Sequence, residues 1–547
     1  MKTKKIFAVI LAVMLIISAF PFCAFASEER LLYTKALSPR LFGSPADMTG
    51  SVGKIESLVD IDEFREYLLG EFLSCNTNIS VSAFNIPVND SEAVSDFIWY
   101  HMPEAFGVDK LSFAYYSMSG NIVNLVVEYS AFSDTPAEYE SNFEAFTASA
   151  DKMLSGIENN SSLSDTEKAL LLHDRLAVYT EYDFDASERV VHTAYGAFAD
   201  RLAVCQGYAM AYMYLLNRVG IKNFYCSSEL LNHGWNIVEI NGKTYHVDVT
   251  WDDASYGIGA GVTGKVIHNN FLRSTEGIKA TGHDAEDFDM SPCDTSFDNS
   301  FWQSSSSEFI LLGNDIYYIE STDGSIDASV KNMRTGAVVH SFSEYWMQSE
   351  EYAWSGNFSC LSKSGNSLLL SYSRKVLTLN PANGITETVY SPEITDYCNI
   401  FGMTYEDGFI ICDINDSLNS DTNLSRVKYK FEAVCTHTVT ENIKGTPASC
   451  TEDGISDAVM CKDCRKILSG NTPVSALGHD KTVHTAKNPT CTEKGWNEYF
   501  ICSRCDYSTY EELPATGHTE VTDTAVSPSC TETGFPRVST AESAVTL

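Results

Sequence analysis

Positive charge is scarce in this sequence: 37 Lys and Arg stand against 73 Asp and Glu, leaving a net charge of −36. That balance argues against nucleic acid or anionic lipid as a partner and favours solubility outside the cell. Long apolar runs are also lacking, since nothing after the first 26 residues is apolar for long enough to span a bilayer. Cysteine is thin along most of the chain and then concentrates, with seven of the 16 falling between Cys450 and Cys530. Such a distribution fits one reactive thiol among scattered core cysteines, followed by a separate cysteine-patterned tail.

What is present begins with Lys2, Lys4 and Lys5, an apolar run from Ile6 to Phe22, and then Ala24-Phe25-Ala26. This reads as a signal peptide over 1–26, so the expected location is secreted or cell-surface associated. A length of 547 residues exceeds one core and predicts about three to five domains. Residues 27–150 mix helical and strand patterns, with Phe64, Leu68 and Phe72 recurring every four residues and a strand pair across Ser119-Gly120-Asn121. They predict an N-terminal α/β domain. Ser164 with Glu167 is a helix-start pattern, and His173 in the helix that follows reads as a packing residue.

The chemistry gathers in three short stretches. Val204-Cys205-Gln206-Gly207-Tyr208 opens an apolar run ending near Gly220, which predicts a helix starting at Cys205. A cysteine on a helix's first turn meets free N–H groups and the positive end of the dipole, both of which favour its thiolate. Asn232-His233-Gly234-Trp235-Asn236 and Tyr245-His246-Val247-Asp248 flank Asn241-Gly242, a strong two-residue hairpin signal. Opposed residues then sum to 483, so Trp235 faces Asp248, His233 faces Thr250, and His233 and Asp248 are diagonal neighbours on one face. Val238, Ile240, Tyr245, Val247 and Val249 alternate onto the other, as a core face. A thiol, an imidazole and a carboxylate so placed are the parts of a nucleophile, a general base and the group that orients it.

These stretches resemble the transglutaminase-like superfamily of papain-type thiol enzymes, over roughly residues 155–290. The match is carried by Ala203-Val204-Cys205-Gln206-Gly207-Tyr208-Ala209, His233-Gly234-Trp235-Asn236 and Tyr245-His246-Val247-Asp248-Val249-Thr250-Trp251-Asp252, with His283 in a similar closing segment. The resemblance implies an α+β fold with a papain-like, transglutaminase-like catalytic core at 151–295, and no cofactor for catalysis. It also implies Cys205 as nucleophile, His233 as base and Asp248 as the orienting group. The family holds cross-linking transamidases, peptidases, glycan amidases and members that have lost catalysis. The expected activity is thiol-dependent acyl chemistry on peptide or protein amides, with hydrolysis preferred because nothing shows a second site for a lysine donor. A protein-glutamine transamidase and a non-catalytic surface-binding protein are the alternatives. Gln206, Trp235 and Tyr195 are the candidate cleft residues, and the oxyanion falls to backbone donors that include the Cys205 N–H. Gly257 to Gly264 predicts a mobile loop beside the site.

Residues 300–435 change character. Asp315-Ile316-Tyr317-Tyr318-Ile319, Leu368-Leu369-Leu370 and Phe409-Ile410-Ile411-Cys412 each follow a turn and predict a β-rich domain, either a sandwich or partial propeller-like repeats. Residues 436–547 are tandem Cys/His repeats, since Cys450-Thr451-Glu452-Asp453-Gly454 recurs from Cys491 and from Cys530 at intervals of 41 and 39. Two units are complete: Cys450, Cys461, Cys464 and His479, then Cys491, Cys502, Cys505 and His518. Three thiols and an imidazole with a C-x-x-C knuckle suit a ribbon-like structural zinc in each unit. Disulfides between units are the competing arrangement. Such tails resemble those of exported bacterial surface proteins, where adhesion or spacing is the expected role.

Overall fold

The computed structural model describes residues 30–39, 54–254, 262–284, 292–322, 324–393, 397–415, 424–431, 440–461, 466–522, 524–534, 536 and 539–543. The expected signal peptide, most of the Gly257–Gly264 loop and Cys464 lie outside them. The chain divides into two compact units between Val434 and Cys435, and its fold class is α+β. No helix among the described residues is long and apolar enough to cross a membrane.

The first unit begins with an antiparallel sheet in the order β1-β3-β4-β2, formed by Leu31–Tyr33 (β1), Asn78–Ser80 (β2), Val108–Tyr116 (β3) and Ile122–Tyr129 (β4). Helices Ile61–Leu73 (α1), Ser91–His101 (α2) and Pro136–Leu154 (α3) accompany it. In α1 the four-residue spacing does what it predicts: Phe64, Leu68 and Phe72 are fully buried. Helix Asp165–Tyr179 (α4) starts with a reciprocal capping box between Ser164 and Glu167.

Helix Cys205–Arg218 (α5) is the axis of the unit. Every residue from Cys205 to Leu216 is buried, so its apolar run reflects neighbours on all sides rather than one amphipathic stripe. Gly207 makes this possible, because a Cβ there would lie 2.6 Å from the Val191 carbonyl oxygen and 2.8 Å from the Ala203 Cβ. Phe146 of α3 packs edge-on against Phe198 and Tyr214, at 5.1 and 4.6 Å between ring centroids. One hydrophobic core therefore runs from Ile55 through α5 to Tyr318.

Strands Asn223–Ser228 (β5), His233–Ile240 (β6) and Lys243–Val247 (β7) form an antiparallel sheet against α5. Asn241 and Gly242 turn with φ of 53° and 74°, the left-handed pair that a two-residue hairpin needs. Pairing runs from Ile240↔Lys243 to Asn236↔Val247, the expected register. It stops there, which corrects the expected pairing of Trp235 with Asp248 and His233 with Thr250. Asp248 instead caps a short helix, Val249–Asp252 (α6), and the chain bends away. The sheet also has no open polar face at the hairpin. Val238, Ile240, Tyr245 and Val247 join the main core, while Trp235 and Ile237 pack with Cys226, Ile278 and Cys293 on the other side. Ile278 comes from helix Thr275–Lys279 (α7).

Beyond residue 309 the described residues of the first unit form three larger antiparallel sheets and one two-stranded sheet, Trp346–Met347 with Ala353–Trp354. The stretches Asp315–Ser321, Ser367–Ser371 and Phe409–Asn415 are each the second strand of their own sheet, with four, four and three strands respectively. This region is tied to the α5 layer by Arg426 to Glu181, Arg201 to Glu406 and Arg334 to Glu167, each at 2.8 Å.

In the second unit, Thr440–Ile443 (β8), Ala458–Cys461 (β9) and Ile467–Gly470 (β10) form one small sheet, and Lys481–His484 (β11) pairs with Tyr499–Cys502 (β12) in the next repeat. The recurring C-T-E-x-G has a steric reason. A Cβ on Gly454 would sit 2.4 Å from the Thr446 carbonyl oxygen, and one on Gly495 2.3 Å from that of Lys487.

Candidate active site

The structure brings Cys205, His233 and Asp248 together. Cys205 is the first residue of α5, preceded by extended Val204. His233 begins β6, close enough to Cys205 to feel its charge, and is hydrogen-bonded to Asp248. Its Nε2 is 2.6 Å from Asp248 Oδ2, which leaves Nδ1 as the ring nitrogen not engaged by the carboxylate. Asp248 divides its two oxygens. Oδ1 accepts the N–H groups of Thr250 and Trp251 at 3.0 and 3.3 Å, while Oδ2 serves the imidazole. The cap that ends the hairpin is thus the device that fixes the carboxylate.

The surroundings lock the ring. His233 lies between Trp235, stacked at 5.7 Å and 19°, and Trp251 at 5.0 Å and 31°. Asn236 donates through Nδ2 to the Ala209 carbonyl at 3.0 Å, tying β6 to α5. The Tyr208 hydroxyl is 2.9 Å from the Thr180 carbonyl and 2.5 Å from an Asp253 carboxylate oxygen. Cys205 and His233 are each 4% exposed and Asp248 1%, so their electrostatics play out away from bulk water.

Burial disfavours charge on His233, but the adjacent Asp248 carboxylate outweighs it, with Cys205 adding, and the imidazole is pushed up to about 10. Asp248 loses from burial too, yet His233 and His283 hold its carboxyl well below the usual range. An imidazolium beside the thiol stabilises a thiolate. His246, by contrast, is driven down to about 3 by burial, with His283 and Lys279 adding. Its Nδ1 accepts the Trp235 indole N–H at 3.1 Å, so it is a neutral support for Trp235 and not a base.

Several placements differ from expectation. Trp235 is a wall for His233, with its indole N–H directed at His246. Tyr195 packs against Phe106 and Phe132, and its hydroxyl donates to Asn142 Oδ1 at 3.1 Å, so it belongs to the aromatic layer under α3 rather than to the cleft. Gln206 is buried, with its Oε1 lacking a hydrogen-bond partner, and it lines a small cavity with Trp99, Met102, Arg189, His192 and Met210. His283 has a larger role than sequence reasoning gave it: its Nε2 reaches the same Asp248 Oδ2 at 2.9 Å. The two histidines and the carboxylate are also a set that can hold a metal ion. However, 2.6 Å is a hydrogen-bond length, shorter than the edge of about 3 Å between ligands bound at 2.0–2.1 Å.

Two further groups escaped the sequence. Tyr225 lies over Gly234, where a Cβ would meet its hydroxyl at 2.1 Å; that hydroxyl is buried without a partner, and burial with nearby Cys205 keeps it protonated. His173 is part of a buried network, not a simple packing residue. Its Nδ1 is 2.8 Å from Asp174 Oδ1, and its Nε2 3.2 Å from Asp252. His268 Nε2 reaches the same Asp174 oxygen at 3.0 Å, and Asp252 accepts the backbone N–H of Asn270 at 3.0 Å. This network holds α4, α6 and the 268–271 segment together behind the site.

In the tail, Cys450, His479, Cys502 and Cys505 come together as a group that can hold a metal ion. The expected one-unit ligand sets are corrected by this grouping. Cys461 sits in β9, paired opposite Thr440, while Cys491 and His518 are equivalent to Cys450 and His479 one unit further on.

No protein-family profile matches the chain, and no curated protein matches it. Among solved structures it is similar to a transglutaminase at 14% identity over 27% of this chain, with a TM-score of 0.17. It is also similar to the Swd1 β-propeller domain of Myceliophteria thermophila, at 11% identity over 36% of this chain and 67% of that one, with a TM-score of 0.14. The chain spans 46% of the length of that transglutaminase. At TM-scores this low the likenesses establish neither fold nor activity.

Proposed function

We propose that the chain is an exported, transglutaminase-like cysteine enzyme with a papain-like core, acting on peptide or protein amides. The observation that supports this most is the set of Cys205 on the first turn of α5, His233 beside it, and Asp248 Oδ2 at 2.6 Å from His233 Nε2. Cys205 attacks the amide carbonyl as a thiolate, and His233, as imidazolium, protonates the leaving amine. First-turn N–H groups of α5, which have no partner within the helix, face the developing oxyanion. His233 then takes a proton from water as the thioester is cleaved. Asp248 stays ionised throughout and keeps the ring oriented. Catalysis in this reading uses side chains and backbone alone, and a structural zinc belongs to the tail.

Water is the proposed acceptor, with a peptide or protein, including one at the cell surface, as the substrate. The test is mass spectrometry of a mixed protein substrate incubated with a primary-amine probe, comparing the mature protein with Cys205→Ala. New termini or deamidated glutamine, lost in the variant, support hydrolysis. Probe attached to glutamine, also lost in the variant, replaces hydrolysis with transamidation. Identical products from both proteins contradict the enzymatic reading and favour a surface-binding protein.

A further inference from the structure

The tail repeats meet across their boundary, and the meeting point is made of ligands. Cys450 Sγ lies 3.7 Å from Cys502 Sγ, and Cys505 Sγ 3.4 Å from His479 Nδ1. All four ligand atoms fall within 4.8 Å of one another. A tetrahedral zinc with bonds of about 2.3 Å to sulfur and 2.0–2.1 Å to nitrogen spaces its sulfurs by about 3.8 Å and a sulfur–nitrogen pair by about 3.6 Å. A disulfide needs about 2.05 Å. The 3.7 and 3.4 Å spacings match such a shell and are too long for a disulfide.

The backbone around the four residues is held independently of any ion. Leu477 N–H donates to the Ser449 carbonyl at 2.9 Å, which draws the segment before His479 to the turn that carries Cys450. On the other side Ser503 N–H donates to the Asp480 carbonyl at 3.0 Å, and the Arg504 guanidinium donates to the Gly478 carbonyl at 3.1 Å. The linker 477–480 is therefore clamped by both repeats. Lys481 pairs opposite Cys502, which puts His479 beside the C-x-x-C knuckle. Within the knuckle, the Arg504 N–H points at Cys502 Sγ at 3.4 Å, a contact that stabilises a metal-bound thiolate. The His479 ring is fixed by stacking on Tyr507 at 3.9 Å and 12°.

We propose that the tail binds a zinc ion through Cys450 and His479 of one repeat together with Cys502 and Cys505 of the next, so that the metal cross-links successive repeats. The three thiols release their protons to solvent on binding, and the imidazole binds neutral through Nδ1. One repeat alone holds half a site. The array gains its stiffness from shared ions, with no second core to bury.

The test is zinc content of the purified full chain, by elemental analysis, in the wild type and in a set of variants. Cys450→Ser, Cys502→Ser and the double variant each lose the same single equivalent, because both residues serve one ion. Cys491→Ser and His518→Ala lose none, and His479→Cys, which supplies an alternative ligand at the same place, retains the ion and so separates ligation from folding. Losses that add in the double variant, or loss of an equivalent in Cys491→Ser, overturn the proposal in favour of one site per unit. Zinc-free wild type, or a Cys450–Cys502 disulfide found by peptide mapping, overturns it outright.

Discussion

His233 and Asp248 define the site at the scale of single residues, and their shifts set a pH dependence with a definite sign. His233 is raised to about 10, so its contribution to stability is complete below the unfolded histidine value of about 6.5 and fades as pH rises toward 10. Asp248 is lowered, so its contribution is complete above the unfolded aspartate value of about 3.9 and is lost as pH falls below it. The Tm advantage of the wild type over Asp248→Asn is accordingly largest between about pH 4 and 6.5 and narrows toward pH 10. A set of thermal melts across that range checks it, and a gap that widens with alkaline pH contradicts the assignment. The grouping of Cys205, His233 and Asp248 was legible in the sequence from residue type and spacing. His283 was visible as a motif fragment, but its contact with Asp248 depends on a path through space that no local pattern encodes.

At the scale of elements, the hairpin shows where pattern stops being informative. Asn241-Gly242 and the alternation on both sides specify the register correctly. The end of the strand is decided by Asp248, whose side chain offers Thr250 and Trp251 N–H groups a better partner than a further ladder bond. The sheet's second face looked polar by alternation, yet Trp235 and His246 are covered by α7, which lies too far along the chain for periodicity to report. Gly207 marks the tightest approach in α5. Gly207→Ala is expected to push the helix start away from Val191, costing about 1–3 kcal/mol and most of the thiol's reactivity. Removing the α4 cap with Ser164→Ala is expected to cost about 1 kcal/mol in denaturant melts while leaving Cys205 reactivity unchanged. An equal effect of both on reactivity contradicts the local role given to Gly207.

At the scale of the whole molecule, composition suggested several domains, but it does not show where cores merge. Phe146 lies in the N-terminal stretch and packs on Phe198 and on Tyr214 of α5. Phe146→Ala is expected to destabilise the first unit by about 3–5 kcal/mol, and trimming the residues before 150 to unfold it, not to release an active enzyme. The tail posed a different difficulty. Its repeat length was plain from the recurring Cys-Thr-Glu, but alignment reveals which residues are equivalent, not which ones meet. The cysteines that converge belong to neighbouring units, and only the clamp around Leu477 and Arg504 makes that visible.

The reactive state of Cys205 is the point on which the enzymatic account turns, and it can be measured without knowing the substrate. The rate of Cys205 alkylation by iodoacetamide, followed by peptide mass spectrometry against pH, reads the thiolate directly. In the wild type alkylation at neutral pH is expected to be markedly faster than in His233→Ala. The difference is expected to shrink at alkaline pH. Superimposable profiles for the two proteins would show that His233 does not activate the thiol, and the account would fail at its centre.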